Sequence, residues 1–197
     1  MEIFKEFNSE TVKILKNGGI GVIPTDTIYG IVGSALSRKT VARIYKLRKR
    51  NPRKPVIVLI ASMLDLKKFG IKLNRGDRRI LDELWPAPVS VILRLSDGKE
   101  KAKRFEYLHR GKNAVAFRLP RRKNLLRFLK NTGPLAAPSA NLEGMPPAKT
   151  VKEARRYFGN KIDFYVNGGK LKSKPSALVS LKRGKVSIVR KGAGNFK

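Results

Sequence analysis

The chain has 197 residues, 41% of them hydrophobic, and its 45 Lys and Arg against 14 Asp and Glu give a formal net charge of +31. That apolar fraction suits one cored domain over residues 1–197, and the absence of cysteine excludes disulfides and thiolate metal sites. The lone histidine, His109, argues against a histidine-rich metal centre or a Ser-His-Asp triad, no apolar run reaches the roughly 18 residues of a membrane span, and MEIFKEFNSE has no basic-then-apolar signal pattern, so the expected location is the cytosol.

Ser9 reads as an N-cap, opening a first helix through Lys16 that Gly18 and Gly19 stop. Ile20 to Ile23 is a short, β-branched run bounded by glycine and proline, as a buried strand would be. It ends at Pro24 and leads into Thr25, Asp26 and Thr27, after which Tyr29 and Gly30 close the turn. Ser37 caps a second helix with Val41, Ile44, Tyr45 and Leu47 on its apolar face. The last turn of that helix is cationic, as the helix dipole favours, and Asn51-Pro52 ends it. Val56 to Ala61 reads as a strand covered on both faces. Ser62 to Phe69 and Asn74 to Leu84 read as helices, Trp85-Pro86-Ala87-Pro88 as a rigid turn, and Val89 to Leu95 as a strand. Ser96 to Lys112 is polar and basic and reads as a mobile loop, with His109 solvated in it. Ala114 to Leu119 is a strand, Leu125 to Lys130 a helix and Pro134 to Pro138 a short strand. Thr150 to Phe158 is a helix ended by Gly159, and Phe164 to Val166, Ala177 to Leu181 and Lys185 to Val189 are closing strands. Strands alternating with helices predict a single α/β domain with a mixed, twisted sheet flanked by helices.

Charge is uneven along the chain. Nine Lys or Arg and no acid lie between Arg38 and Lys54, and nine more follow Asp163 with no acid among them. A polyanion relieves repulsion of this size, and nucleic acid is the natural one; a general Lys/Arg bias of the source is the alternative.

In open α/β sheets, ligands gather beyond the carboxyl ends of strands, which makes Thr25–Thr27 a candidate site, although an ordinary polar turn uses the same residue types. No G-x-x-x-x-G-K-[ST] run occurs, and Gly18-Gly19 with Gly21 precedes a strand instead of following one. A phosphate site would therefore be built from side-chain cations and exposed backbone N–H groups. Arg48-Lys49-Arg50 with Lys54, Arg118, Ser139-Ala140-Asn141 and Arg190 qualify, each beside a strand terminus. Asp26 could orient Thr27 or a magnesium-bound water, or simply cap its turn.

The order PTDTIYG, R-x-R, PVIVLIA, WPAPVSVIL, AVAFRLP, PLAAPSAN and PSALVSL followed by SIVRKGA resembles the YrdC-like family of threonylcarbamoyl-AMP synthases, in its short single-domain form, from about Gly18 to Gly192. The resemblance implies a YrdC-like fold with a large basic cavity. It implies a nucleotidyltransferase (L-threonylcarbamoyladenylate synthase) that condenses L-threonine, bicarbonate and ATP, with Mg2+ on the ATP, into threonylcarbamoyl-AMP and pyrophosphate. It further implies a downstream threonylcarbamoyl transferase complex that modifies tRNA, with tRNA or double-stranded RNA meeting the basic surface. Residue by residue, Thr27, Arg118, Ala137 and Ser176 fall on positions that contact threonine. Arg50, Lys54, Asn113, Ser139 and Arg190 fall on positions that contact ATP, and Asn141 completes the SAN motif. Arg48 and Arg50 are the candidate catalytic cations, and no dedicated metal ligand is implied.

This chain departs from the family pattern at several points. Arg48 stands where lysine is usual, Leu59 where many relatives have histidine, Glu143 where serine is usual and Ala177 in place of threonine; the PGPLT-like turn reads PAPVS, with Ala87 and Ser90. A non-catalytic double-stranded RNA or ribosome-associated protein of the same fold is the alternative reading. A third is a carbamoyl-adenylate enzyme with another acceptor.

Overall fold

A computed structural model describes residues 2–95 and 103–194. The chain opens with β1 (Glu2–Phe4) and α1 (Ser9–Lys16), then the hairpin of β2 (Ile20–Pro24) and β3 (Tyr29–Ser34). Next come α2 (Arg38–Arg48), β4 (Ile57–Leu59), a 3-10 helix (Met63–Phe69), α3 (Arg75–Leu84) and β5 (Val89–Arg94). The second half holds α4 (Glu106–His109), β6 (Ala114–Arg118), α5 (Lys123–Thr132), β7 (Leu135–Ala136), α6 (Val151–Phe158), β8 (Phe164–Val166), β9 (Ala177–Lys182) and β10 (Lys185–Arg190). Among the described residues, ten strands form one mixed sheet in the order β1-β8-β2-β3-β7-β4-β6-β5-β9-β10. The β1–β8, β8–β2, β4–β6 and β5–β9 pairs are parallel and the rest antiparallel.

The strands are short and apolar because both faces of the central sheet are covered. On one face, Leu15 of α1 and Leu125, Phe128 and Leu129 of α5 pack on Ile23, Val32, Leu59 and Phe164. On the other, Val41 and Ile44 of α2, Leu81 of α3 and Ala154 and Phe158 of α6 pack on Val22, Ile31, Val58, Val91 and Phe117. The first layer stops short. Ser90, Ile92, Ala116, Leu178 and Ser180 of β5, β6 and β9 face the same way as Arg118, yet none belongs to either apolar cluster. The candidate site opens at the Arg118 end of this face.

Several local expectations need correction. Asn8, not Ser9, caps α1: its Oδ1 accepts from the Thr11 amide at 2.9 Å, while the Thr11 hydroxyl answers the Asn8 amide at 3.2 Å. A side chain one residue earlier reaches the free N–H groups better. Ser62 to Phe69 is a 3-10 helix with no α-helical turn, and β1 was not foreseen because three residues carry no periodicity. Residues 96–102 of the expected loop lie outside the described residues. The rest of that segment is packed: Phe105, Tyr107, Leu108 and His109 are all buried. His109 is thus not solvated. Its Nδ1 accepts the amides of Gly111 and Asn113 at 3.1 and 3.2 Å, so the imidazole closes the turn into β6. Ser37 does cap α2, accepting from the Thr40 amide at 3.2 Å.

Candidate active site

The site begins at the β2–β3 turn. Thr25 Oγ1 donates to the Ile28 carbonyl at 2.7 Å and accepts the Thr27 amide at 3.1 Å, a side chain doing the work of a backbone turn. The two threonine hydroxyls lie 3.1 Å apart, and Arg118 Nη1 donates to Thr27 Oγ1 at 3.3 Å. Arg118 ends β6 with its side chain only 6% exposed, and Asp26, 7% exposed, sits 3.2 Å from its Nη2. That contact is an ion pair without hydrogen-bond alignment: Asp26 Oδ1 and Arg118 Nε are buried with no hydrogen-bond partner. Asp26 Oδ2 accepts the Arg121 amide at 3.2 Å. Burial pulls the Arg118 pKa down, the Asp26 charge opposes that, and Arg190 adds to it.

Residues 137–141 run beside β3 and β4. The Ala137 amide donates to Ile57 O at 2.8 Å, Ile31 N to Pro138 O at 3.0 Å and Ala140 N to Tyr29 O at 2.9 Å. This threads Ala137 and Ser139 along the turn. Tyr29 reaches the other way: its hydroxyl donates to Gly169 O and accepts the Gly168 amide, both at 2.8 Å, pinning the 168–169 strand exit. From the far side, Ser176 Oγ lies 2.9 Å from the buried Ser90 Oγ, and Arg190 Nη2 donates to Ser176 O at 2.9 Å. The chain after β10 passes so close to residues 175–177 that a Cβ on Gly192 would lie 2.3 Å from the Ala177 nitrogen. Only glycine permits that approach, which holds Arg190 over Ser176.

Thr27, Arg118, Ala137, Ser139, Ser176 and Arg190 thereby line one cavity of about 210 Å³, with Ile57, Pro147 and Pro175 completing its wall. Arg48 and Asn141 stand behind it. Arg48 Nε donates to Asn141 O, and its Nη2 to Asn141 Oδ1 and Ser139 Oγ, at 3.0, 3.0 and 3.2 Å. Burial, then the Arg50 charge, lower the Arg48 pKa to about 10, with Glu143 and Tyr45 opposing, so it stays charged at neutral pH. Its Nε and Nη2 are spent on the 139–141 loop, while Nη1 is buried with no hydrogen-bond partner, and Ser139 stands between it and the cavity.

Arg50 and Lys54 form a neighbouring cluster. Arg50 Nη2 donates to Pro55 O at 2.7 Å, and its guanidinium lies 5.6 Å from the Tyr45 ring centroid, with Arg110 over the same ring at 4.0 Å. Both cations face Glu143: Lys54 Nζ is 2.5 Å from Oε1 and Arg50 Nη1 is 3.8 Å from Oε2. Asn113 is not in the Thr27 cavity. It lines a separate hollow of about 470 Å³ with Lys72, Arg94, Lys112, Lys182 and Arg183. That hollow lies at the start of β6, whose other end is Arg118. Among the described residues, no group of three or more His, Asp or Glu is arranged to hold a metal ion.

Residues 13–192 match the Sua5/YciO/YrdC family, described as telomere recombination. The chain belongs to the Sua5/YciO/YrdC family. A Methanocaldococcus jannaschii relative is 29% identical over 196 residues, covering 97% of this chain and 90% of its own length. The threonylcarbamoyl-AMP synthase of Coxiella burnetii is 28% identical over 171 residues, covering 85% of this chain and 88% of that protein. Two structures of P. abyssi Sua5 superpose over 98% of this chain, the H234A/Y235A form with TM-score 0.86 at 25% identity and the L-threonine complex with 0.84 at 24%. This chain spans 60% and 57% of those Sua5 chains. The Sua5/YciO/YrdC fold thus accounts for the mixed open sheet. No helix among the described residues is long and apolar enough to cross a membrane.

Three contributors to the site carry no sequence signal of their role, although Ser90 and Glu143 stand out as departures from the family pattern. Ser90, which pairs with Ser176, is 86 residues away in sequence. Arg110 is tied to Arg50 only through Tyr45. Glu143 stood out solely as an unusual residue after SAN. Nothing local in the sequence marks any of the three as a partner of the site.

Proposed function

We propose that the protein is a threonylcarbamoyl-AMP synthase, forming threonylcarbamoyl-AMP and pyrophosphate from L-threonine, bicarbonate and ATP. The observation that carries this reading is the meeting of six residues from five segments at one cavity with a buried guanidinium, Arg118, in its wall. A planar guanidinium suits a carboxylate, and the hydroxyls of Thr27 and Ser176 suit a small polar amino acid beside it. P. abyssi Sua5, whose fold this chain shares, is known in complex with L-threonine, which supports the same ligand here.

The chemistry needs charge and position more than a nucleophilic side chain. Threonine's amine, once neutral, adds to bicarbonate with loss of water to give the carbamate. A carbamate oxygen then attacks the α-phosphorus, and the bond to the bridging oxygen breaks as pyrophosphate leaves. Negative charge on the phosphate oxygens is met by cations aimed at them. Arg190 at the rim and Arg50 with Lys54 beyond Ser139 are suited to that task, while Arg48 positions Ser139 and Asn141. The strip along β6 toward Asn113 would take the rest of the nucleotide. Mg2+ would arrive on the triphosphate, whose oxygens supply most of its ligands. The product is labile, so a transferase acting on tRNA would be its consumer.

The test is pyrophosphate release that depends on both threonine and bicarbonate. Arg50→Ala should slow it by a factor of tens or more, as loss of a transition-state cation does. No threonine-dependent release by the wild type defeats the reading. The net charge of +31 favours a second reading, double-stranded RNA binding without chemistry. RNA binding with no ATP affinity would select it.

A further inference from the structure

We propose that Glu143 is a built-in stand-in for phosphate: its carboxylate occupies the anion seat formed by Arg50 and Lys54, and a polyphosphate binds by exchanging with it. The inference rests on the nucleotide reading above and adds a residue that keeps the seat closed to weakly binding anions.

The seat is held from several sides. Lys49 ends α2 in the left-handed region at φ 49°, which turns the chain and presents Arg50. Arg50 is then anchored by Pro55 O and the Tyr45 ring. The Tyr45 hydroxyl donates to Lys54 O at 2.6 Å, fixing the backbone that carries the second cation. The Glu143 backbone is also fixed, its amide donating to Arg48 O at 2.8 Å. The Glu143 side chain, 24% exposed, can swing away from this fixed backbone, and the Lys54 side chain, 58% exposed, can follow an incoming anion.

The match between seat and carboxylate is incomplete. Arg50 Nη1 is 3.8 Å from Glu143 Oε2, beyond hydrogen-bond reach. Oε2 and Arg50 Nε are both buried with no hydrogen-bond partner. A single carboxylate satisfies Lys54 and leaves Arg50 half-used. The Lys54 hydrogen bond chiefly, opposed by burial and helped by the Arg50 and Lys54 charges and the Asn51 amide, holds the Glu143 carboxyl below its ordinary range, so it stays ionised at neutral pH. A tri- or tetravalent phosphate chain offers both cations more acceptors than one carboxylate can, whereas a monophosphate gains much less by the exchange. Glu143 thus raises the threshold that an anion must exceed to bind.

The experiment compares wild type, Glu143→Gln and Glu143→Ser by calorimetry with ATP, AMP and inorganic triphosphate, after circular dichroism shows that all three are folded. Removing the resident charge removes one displacement cost shared by every ligand that takes the seat, so ATP and inorganic triphosphate should each bind about tenfold tighter, and AMP by no larger a factor. ATP binding that is unchanged or weaker in both variants overturns the proposal and leaves the synthase reading standing. Tighter inorganic triphosphate with no ATP binding by any of the three defeats the nucleotide reading instead while keeping the Glu143 exchange. Failure of all three proteins to bind either polyphosphate overturns both.

Discussion

Replacing Asp26 by Asn tests what holds the site open. Arg118 is 5% exposed, its Nη2 is 3.2 Å from Asp26 Oδ1, and the nearby Arg190 charge disfavours the guanidinium further. At 3.2 Å and an effective dielectric of about 20, the Asp26–Arg118 attraction is roughly 5 kcal/mol before desolvation is subtracted. Asn keeps an acceptor for the Arg121 amide but removes the countercharge, leaving a buried cation alone. Breaking one side of such a pair costs about 3–5 kcal/mol. For a chain of this length that is a fall in Tm of roughly 6–20 °C at neutral pH. The double variant Asp26→Asn/Arg118→Met removes the stranded charge and should recover most of the loss, since apolar replacements of buried pairs are often neutral. Thermal melts followed by circular dichroism check both. A single variant melting within about 2 °C of wild type would mean that Asp26 merely shapes its turn and that Arg118 needs no countercharge.

Gly21→Ala should cost about 2–3 kcal/mol, because its Cβ would lie 2.2 Å from Cζ of the fully buried Phe164 ring; an unchanged urea midpoint would show that β8 gives way easily. Tyr29→Phe removes both bonds to the 168–169 segment and strands the Gly168 amide, for about 1–3 kcal/mol, with faster hydrogen exchange at Gly168 as the specific signature. Asp163 gives a pH test. Burial pushes its carboxyl up, but the Arg43 hydrogen bonds and the Ile20 amide outweigh that and hold it below the ordinary value. Its contribution is therefore present above the unfolded carboxyl pKa of about 3.9 and lost as pH falls through the lower folded value. The gap between wild type and Asp163→Asn should be full at neutral pH and close in strong acid. Because Arg43 is 41% and Asp163 34% exposed, that gap should be only about 1 kcal/mol. A gap that widens toward acid would reverse the assignment.

Most of the helices and strands were legible because each carries its own signal. α2 combines a Ser37 cap, a one-sided apolar face and a terminating Asn51-Pro52, and it forms between Arg38 and Arg48 as those signals require. β2 and β9 are apolar runs between glycine or proline boundaries. The failures share a cause too. His109 lies in a polar, basic stretch that reads as solvent-facing, and only the packing of α4 buries it. The hairpin at Thr25–Thr27 was read as the end of a strand, and nothing in its composition shows that β7 and the 137–140 segment will run alongside.

What the chain determined by itself was the set of parts: one cored α/β domain, its caps and turns, an excess of cations, and motifs placed at strand ends. These are properties of neighbours in sequence, set by propensity, periodicity and turn chemistry. Which cations face a shared hollow and which are spent on the scaffold was decided only by tertiary structure. Arg48 and Arg50 are two residues apart, yet one is buried against the Ser139–Asn141 loop and the other stacks on Tyr45 beside Glu143. The difference comes from long-range strand order, which brings residues some 90 positions away against one side of α2.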